Sequence, residues 1–411
     1  MEEFVKSLNL SDAQVTYLRA NCSAVYGPVL CVQIQRILEL LYGPCRYVPK
    51  GYFPVFGTDF VVTIVISYVL VFVLTMFGNI VVVIVMLKFR RMRTVTNIYL
   101  VSLAFSDLMI ALFCMPFDTL YSVTTNWPFG EAMCKISRFV QTFSVSTSVL
   151  TLTAIAADRY IAILYPLKAR LIHTNQRAII ILLIIWVLSA AMMTPQLFVL
   201  TTRDICDPDS LKIYTTCVEI WGDDAIIPGT NTSTSITSST HAYSLYLLFA
   251  LWIVPLSVMA FAYIRIGHRL WTQKPIGDGL GTNNTVMKHE QSLKQKKKLI
   301  KMLMVILVLF AVCWGPMFLW NVVRDFTYNF YHLASKHADW TYKVFAAIRL
   351  IAYSNSCFNP IIYHKMSENF KNHFRATLGC ACCKTNKVGD ATATLTQHNN
   401  TLQSVAAEAV Q

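Results

Sequence analysis

The stretch TDFVVTIVISYVLVFVLTMFGNIVVVIVML, residues 58–87, contains a single charged side chain, Asp59. A helix of roughly 20 apolar residues crosses the hydrocarbon core of a bilayer. This run is therefore long enough to cross a membrane once, and six further apolar runs follow it. They lie at residues 97–122, 132–164, 177–200, 241–266, 298–323 and 343–363. We predict an all-α membrane protein with a bundle of seven transmembrane helices.

The composition and the placement of charge support this class. Hydrophobic residues make up 55% of the chain and charged residues 14%, against about 25% charged residues in soluble domains. The net charge of +13 could indicate a nucleic-acid partner, but the basic residues cluster in short loops between apolar runs, at 88–93, 168–170 and 294–301. Such loops are cytoplasmic in membrane proteins. The pattern argues against a nucleic-acid partner. We expect a plasma-membrane protein whose N-terminus is extracellular.

The chain divides into four parts on this reading. Residues 1–57 form an extracellular segment that contains cysteines, 58–366 the seven-helix domain, 367–383 a short amphipathic helix, and 384–411 a disordered cytoplasmic tail. Acceptor sequences for N-glycosylation occur on the outer side at Asn9, Asn21 and Asn231.

Polar residues occur at the middle depth of the bundle, where they are costly. Asp107 lies centrally in the second run, and a carboxylate there costs roughly 2.5 to 3.5 kcal/mol on insertion scales. Candidate partners at similar depth are Asn79, Ser148, Asn355, Ser356 and Asn359. Their oxygen atoms suit a small hard cation or a water cluster. The alternative is a hydrogen-bonded packing cluster between helices.

The third run carries landmarks at both ends. Cys134 and Arg159 are separated by roughly 38 Å along a helix, about one membrane thickness. Asp158-Arg159-Tyr160 therefore lies at the cytoplasmic mouth. Prolines in four later runs, at positions 195, 255, 316 and 360, predict kinks at which a helix end can swing.

Together these motifs resemble the rhodopsin-like G-protein-coupled receptors over residues 58–383. The resemblance rests on one match in each run, in order. The matches are Gly78-Asn79, Leu103-Ala104 with Asp107, Cys134 with Asp158-Arg159-Tyr160, Trp186, Pro255 with Tyr263, Cys313-Trp314-Gly315-Pro316, and Asn359-Pro360-Ile361-Ile362-Tyr363. It implies a heterotrimeric G protein and arrestin as partners and no bound cofactor.

The resemblance also assigns roles to residues. Asp107, Ser148 and Asn355 would hold an allosteric sodium ion. The switch and coupling set would be Asp158, Arg159, Tyr160, Tyr263, Phe310, Trp314, Pro316, Asn359, Pro360 and Tyr363. Many members restrain the arginine of the third helix with an acidic residue at the base of helix six. Here that base is lysine-rich, so we expect Asp158 alone to restrain Arg159 and ligand-free signalling to be measurable.

Cysteines take two roles by the same resemblance. Cys134 pairs with a cysteine of the second outer loop, and Cys217 is favoured over Cys206 because Cys217-Val-Glu-Ile-Trp221 is similar to the loop strand of neuropeptide receptors. Cys206 then remains with Cys22, Cys31 and Cys45, and the three pairings of these four stay open. Cys380, Cys382 and Cys383 stand where palmitoyl chains attach in the family, after the eighth helix.

The expected ligand is a peptide. The amine receptors carry Asp where this chain has Gln141, and the residues before Pro360 include no lysine for retinal. The residues expected to line the pocket are Gln141, Asp118, Asn321, Arg324, Asp325, Arg349 and Tyr353. Opposite charges at the entrance suit a peptide with an arginine and an amidated or carboxylate end. The sequence is similar to the orexin, neuropeptide FF, neuropeptide Y and cholecystokinin receptor groups, although Arg349 departs from several of them.

Other classes fit less well. A small-molecule or lipid ligand is the alternative within the receptor class. A channel or transporter needs a charged path, whereas the polar residues here converge on one cluster. An enzyme is disfavoured because no nucleophile, base and oxyanion donors converge at a useful spacing.

Overall fold

The computed structural model describes residues 46–47, 56–89, 92, 94–172, 174–206, 213–221, 238–272, 283–327, 337–366 and 368–382. Several predicted sites lie outside these residues. They are the glycosylation sites Asn9, Asn21 and Asn231, the cysteines Cys22, Cys31 and Cys45, and Cys383. For Cys206, Cys380 and Cys382 the structure describes the backbone but not the side chain.

Seven helical spans follow one another along the chain, in the places that the apolar runs predict. Their bounds are Thr58–Lys88, Val95–Phe113 with Met115–Thr124, Gly130–Leu164, Asn175–Met193 with Pro195–Val199, Ser238–Leu248 with the π-helix Phe249–Ile253 and Val254–Thr272, Asn283–Phe326, and Ala338–Met366. We call them spans one to seven. A short helix, Pro166–Ile172, follows span three, and a terminal helix, Glu368–Cys382, follows span seven. The predicted seven-helix architecture with an eighth helix is confirmed.

The spans differ in how apolar they are. Within the described residues, six helices are long and apolar enough to cross a bilayer, and these are spans one to six. Span seven has 29 residues but carries Asp339, Lys343 and Arg349 in its first half. Many large apolar side chains face outward, among them Ile66, Val187 and Ile264 at 62%, 71% and 70% exposure. Helices that are apolar on both faces are typical of membrane proteins.

Proline positions explain the breaks within spans. Span two is interrupted at Cys114, two residues before Pro116, and span four at Thr194, directly before Pro195. Proline lacks an amide hydrogen and fits the first turn of a helix, so a new helical segment begins there. Pro316 and Pro360 remain inside continuous helices.

A three-stranded sheet combines two strands from the segment between spans four and five with one short strand from before span one. β2, Leu200–Cys206, pairs antiparallel with β3, Ile213–Glu219, from Leu200 opposite Glu219 to Cys206 opposite Ile213. The short strand β1, Arg46–Tyr47, adds in parallel to the outer edge of β2. We call the antiparallel pair β2–β3 the hairpin, and the end of the bundle that it covers the hairpin end. The opposite end carries Asp158-Arg159 and the terminal helix.

Candidate functional site

A cavity of about 290 Å³ opens at the hairpin end and is lined by residues of spans two to seven. Its lining contains five of the seven residues that the sequence assigns to the pocket: Gln141, Asn321, Arg324, Asp325 and Arg349. Asp118 and Tyr353 are not among the lining residues. The sequence missed other members of the lining, including Arg138, Gln196, Glu219 and Tyr243.

Asp118 lies behind the cavity wall and not at its entrance, which corrects the expectation. The side chain is fully buried, and its Oδ1 is 2.9 Å from Arg349 Nη1 and 3.3 Å from Arg138 Nη2. Tyr353 donates its hydroxyl hydrogen to Oδ2. A buried carboxylate is stable only with such partners. Both carboxylate oxygens are therefore occupied by groups of the protein itself.

Arg138 and Arg349 turn the span-three and span-seven side of the cavity positive. Each lines the cavity, and together they share the one charge of Asp118. Arg138 also donates from Nη1 to Gln141 Oε1 at 3.2 Å, which holds the amide of Gln141 in place. Arg138 lies three positions before Gln141, on the same helical face. That spacing is the sequence signal that could have found it.

Asp325 provides a carboxylate on the opposite side of the cavity. It accepts hydrogen bonds from Ser244 of span five and from Arg324 Nε at 2.7 Å. His241 Nε2 lies 2.8 Å from the backbone oxygen of Asp325, so span five fixes the end of span six. Glu219 of β3 also lines the cavity. This side carries two carboxylates with one arginine and is negative.

The hairpin covers the cavity and is covalently held. Cys134 at the start of span three forms a disulfide with Cys217 of β3, with 5.7 Å between the Cα atoms. This confirms the choice of Cys217 over Cys206. The backbone amide of Trp127, whose side chain is fully buried, donates to the oxygen of Thr215 at 2.7 Å. Because Cys217, Val218 and Glu219 all line the cavity, the hairpin forms its roof.

The inner wall of the cavity leads to Pro316, which lies inside span six. Trp314 lines the cavity two residues before Pro316, with its ring centroid 6.5 Å from that of Phe318. Phe310, four residues before Trp314 in span six, is fully buried. A ligand that enters the cavity therefore contacts the side chain next to the proline.

The polar cluster at middle depth is present. Asn359 Nδ2 donates to Asp107 Oδ2 at 3.0 Å, and Asn79 Nδ2 donates to the backbone oxygen of Ser356 at 3.0 Å. Ser148 and Asn355 are buried in the adjoining spans three and seven.

The cluster has the chemistry of a cation site. Asp107 is 1% exposed, and no ion pair among the described residues includes it. The buried Oδ1 of Asn79 also lacks a hydrogen-bond partner within the described protein. A buried carboxylate with neighbouring amide and hydroxyl oxygens fits a small hard cation.

At the opposite end of the bundle, Arg159 is bound by its own neighbour. Arg159 donates from Nη2 and Nε to Asp158 Oδ2, at 2.6 and 3.1 Å. Tyr263 of span five and Tyr363 of span seven are both buried. Tyr363 packs edge-to-face on Phe370 of the terminal helix, with 6.2 Å between ring centroids. Tyr160 packs against Phe261, with 6.3 Å between centroids.

The motif residues of spans one and seven meet at a close contact. A Cβ atom at Gly78 would lie 2.9 Å from the ring of Pro360. A side chain at Gly78 would therefore force the two spans apart. Gly78 of span one therefore packs directly against Pro360 of span seven. This close contact keeps Asn79, the next residue, beside the polar cluster.

Comparison with known proteins agrees with this arrangement. The sequence matches the profile of the seven-transmembrane receptors of the rhodopsin family over residues 78–363. The QRFP-like peptide receptor of Branchiostoma floridae is 39% identical over 332 residues, which cover 81% of each chain. The pyroglutamylated RF-amide peptide receptor of Rattus norvegicus is 34% identical, over 81% of this chain and 73% of that protein. The neuropeptide FF receptor 2 of Mus musculus is 35% identical, over 75% and 70%.

Proposed function

The chain belongs to the rhodopsin family of seven-transmembrane receptors, and on that premise we propose that it binds an extracellular peptide and activates a heterotrimeric G protein. The names of its relatives support a peptide of the RF-amide type, which ends in arginine and an amidated phenylalanine. The family consists of signalling receptors and not of enzymes.

The two-sided charge of the cavity is the observation that carries this proposal. Asp325 is bound by Ser244 of span five and Glu219 lies close to Tyr243 of the same span, whereas Arg138 and Arg349 share Asp118. A peptide arginine fits the side of Asp325, while the carbonyl oxygen of a C-terminal amide fits the arginine side. Asp118 does not receive the peptide arginine in this arrangement, because it does not line the cavity.

The basic loops indicate which end of the bundle faces the cytoplasm. We place the hairpin end outside the cell and the Asp158-Arg159 end in the cytoplasm, since the lysine- and arginine-rich loops lie at the second end. Residues 1–57 and the glycosylation sites are then extracellular. The tail, the palmitoylation sites at Cys380, Cys382 and Cys383, and the arrestin and G-protein contacts are intracellular.

Binding reaches the cytoplasmic end through span six and the polar cluster. A ligand against Trp314 acts at the kink of Pro316, and movement there opens the end of span six near Arg159, Tyr263 and Tyr363. Asp107, Ser148 and Asn355 are the residues that would hold a sodium ion. The ion would supply the positive charge that balances Asp107.

The ligand class can be tested in cells that express the full chain. Peptides ending in Arg-Phe-amide are compared with the same peptides ending in the free acid, and with amine and lipid collections, by measuring dissociation of G-protein subunits. We expect the amidated peptides to activate in the nanomolar range that is common for tight ligands, about −12 kcal/mol of binding free energy.

Cells that lack the receptor provide the control and must not respond. A response to amines or lipids alone would contradict the peptide proposal and favour the small-molecule alternative. The free-acid peptide keeps the arginine but lacks the terminal amide. A loss of activity in this peptide therefore reports recognition of the amide end alone.

A further inference from the structure

Strand β3 meets the cavity along its edge. Successive side chains of a strand point to opposite faces, so one face of β3 would bring only every second residue to the cavity. Cys217, Val218 and Glu219 are consecutive, and all three line it. The cavity therefore reaches past the side chains to the backbone of β3, on the edge that does not face β2.

Hydrogen bonds at Thr215 show which backbone groups point toward this edge. The N–H of Thr215 donates to Asn126 Oδ1 at 2.8 Å, and the oxygen of Thr215 accepts from the N–H of Trp127 at 2.7 Å. Both groups thus point away from β2. In an antiparallel pair, residues that bond to the partner strand alternate with residues whose N–H and C=O point outward. Cys217 and Glu219, two and four positions later, therefore direct their backbone groups to the same edge.

A bond at the other end of the strand agrees with this alternation. The N–H of Ile220 donates to the oxygen of Val199, across the β2–β3 pair, at 2.8 Å. Ile220 directly follows Glu219 in the chain. The backbone groups of Glu219 therefore point the other way, toward the cavity edge.

This edge is covered at one end and open at the other. The loop between spans two and three covers it at Thr215, and the disulfide between Cys134 and Cys217 fixes it over span three. Within the part of the chain that the structure describes, no hydrogen bond engages the backbone groups of Cys217 or Glu219 on this side. We call the N–H and C=O groups of these two residues the open edge. An unpaired strand edge is a template for another extended chain.

We propose that the backbone of the peptide ligand pairs with the open edge as an added β-strand. The open edge alternates N–H donors with C=O acceptors, and an extended polypeptide matches several of them at once, unlike an amine or a lipid. The pairing residues are those that precede the terminal Arg-Phe-amide, since the arginine and the amide are assigned to the cavity beneath the hairpin. Two residues of extended peptide, roughly 7 Å long, match Cys217 and Glu219. The proposal rests on the peptide ligand proposed above and adds how its backbone is held.

The first test changes the peptide and leaves the receptor intact. Single backbone amides of an Arg-Phe-amide peptide are replaced by esters, which lack the N–H, at each of the four positions before the arginine. Affinity for the full-length receptor is measured by displacement of the labelled parent peptide. We expect a loss of about fivefold, equivalent to one hydrogen bond, at every second position and of less than about twofold between them. The intervening esters are the matched controls, because they make the same chemical change on the other edge of the peptide strand.

The second test changes the receptor. Glu219→Pro removes an N–H of the open edge without removing a bond to β2, and proline is tolerated on such edges. Glu219→Ala is the matched control, since it removes the same carboxylate and keeps the N–H. At equal amounts of receptor on the cell surface, we expect the proline variant to bind the parent peptide about fivefold more weakly than the alanine variant.

The two tests can overturn the proposal separately. Equal losses at neighbouring ester positions, or no loss at any of the four, would contradict strand pairing. Equal affinity of the proline and alanine variants would contradict pairing at Glu219. If the proline variant does not reach the cell surface, the ester series on the wild type decides alone. A parent peptide that does not bind the wild type would instead contradict the proposed function.

Discussion

Asp118 and Asp325 have the same chemistry, but their partners give them different roles. In the sequence both are acidic residues near the outer ends of spans, and both are candidates to bind a ligand arginine. In the structure Asp118 is occupied by Arg138, Arg349 and Tyr353, whereas Asp325 lines the cavity. The difference depends on side chains from distant parts of the chain, which the sequence alone does not bring together.

Removal of Asp118 tests its structural role. We expect Asp118→Ala to leave Arg138 and Arg349 without their counter-charge and to destabilise the receptor by about 3 to 5 kcal/mol, as for other broken buried pairs. The unfolding temperature of the purified receptor should fall accordingly.

Asp339→Ala is the matched control, because Asp339 is exposed and paired with Lys343 one turn away. This variant should change stability by less than about 1 kcal/mol. Equal effects of the two substitutions would show that the Asp118 network does not stabilise the fold. Asp118→Asn combined with Arg349→Gln should recover part of the loss, since it removes both charges.

The buried carboxylate Asp107 should confer sensitivity to sodium. In the wild type, replacing sodium with N-methyl-D-glucamine at equal ionic strength should raise agonist affinity, because the ion favours the inactive state. Asp107→Asn should abolish that difference in a radioligand binding assay. Ser106→Ala is the control, since the Ser106 hydroxyl bonds within its own helix. A sodium effect that persists in Asp107→Asn would place the ion elsewhere.

Between elements, the absence of a side chain at Gly78 allows spans one and seven to approach each other closely. We expect Gly78→Ala to lower the unfolding temperature by several degrees, because the added Cβ would lie 2.9 Å from the rigid ring of Pro360. Gly267→Ala should be neutral or slightly stabilising, since its Cβ would lie 3.6 Å from Trp271 and alanine favours helix. Thermal unfolding of both variants checks the pair. Equal unfolding temperatures would contradict the close contact between spans one and seven.

Hydropathy predicts the spans well but not how they begin, break and connect. Span six begins at Asn283, fifteen residues before the apolar run at 298. The preceding segment is rich in lysine and glutamine, which form helices readily but give no apolar signal. The breaks at Cys114 and Thr194 follow from prolines that the sequence shows. The π-helix Phe249–Ile253 and the pairing of β1 with β2 have no local signal, because packing between distant segments determines them.

At the scale of the whole molecule, the resting state depends on how firmly Arg159 is held. Asp158 binds it at 2.6 Å, whereas Glu290, the acidic residue at the base of span six, lies 3.8 Å from Lys294. We therefore expect measurable ligand-free signalling, in proportion to receptor expression, in a G-protein activation assay. Asp158→Asn should raise it further. A basal signal no higher than in cells without the receptor would count against this reading.

Span six, which contains Pro316, connects the cavity of opposite charges to the Asp158-Arg159 end of the bundle. The cavity residues come from spans two to seven and from the hairpin, so only the assembled bundle creates the charge separation. The motif residues were predictable because each lies at a fixed place in its own span. The cavity lining was predictable only in part, since Arg138 and Gln196 belong to no motif.

The most direct test of the central claim is a double-mutant cycle between the receptor and its peptide. The affinity of an Arg-Phe-amide peptide and of its citrulline analogue is measured on the wild type and on Asp325→Asn. We expect each single change to weaken binding by about 100-fold, and the two together to weaken it little further, because both remove the same ion pair. Losses that multiply to about 10,000-fold would show that the peptide arginine does not bind Asp325.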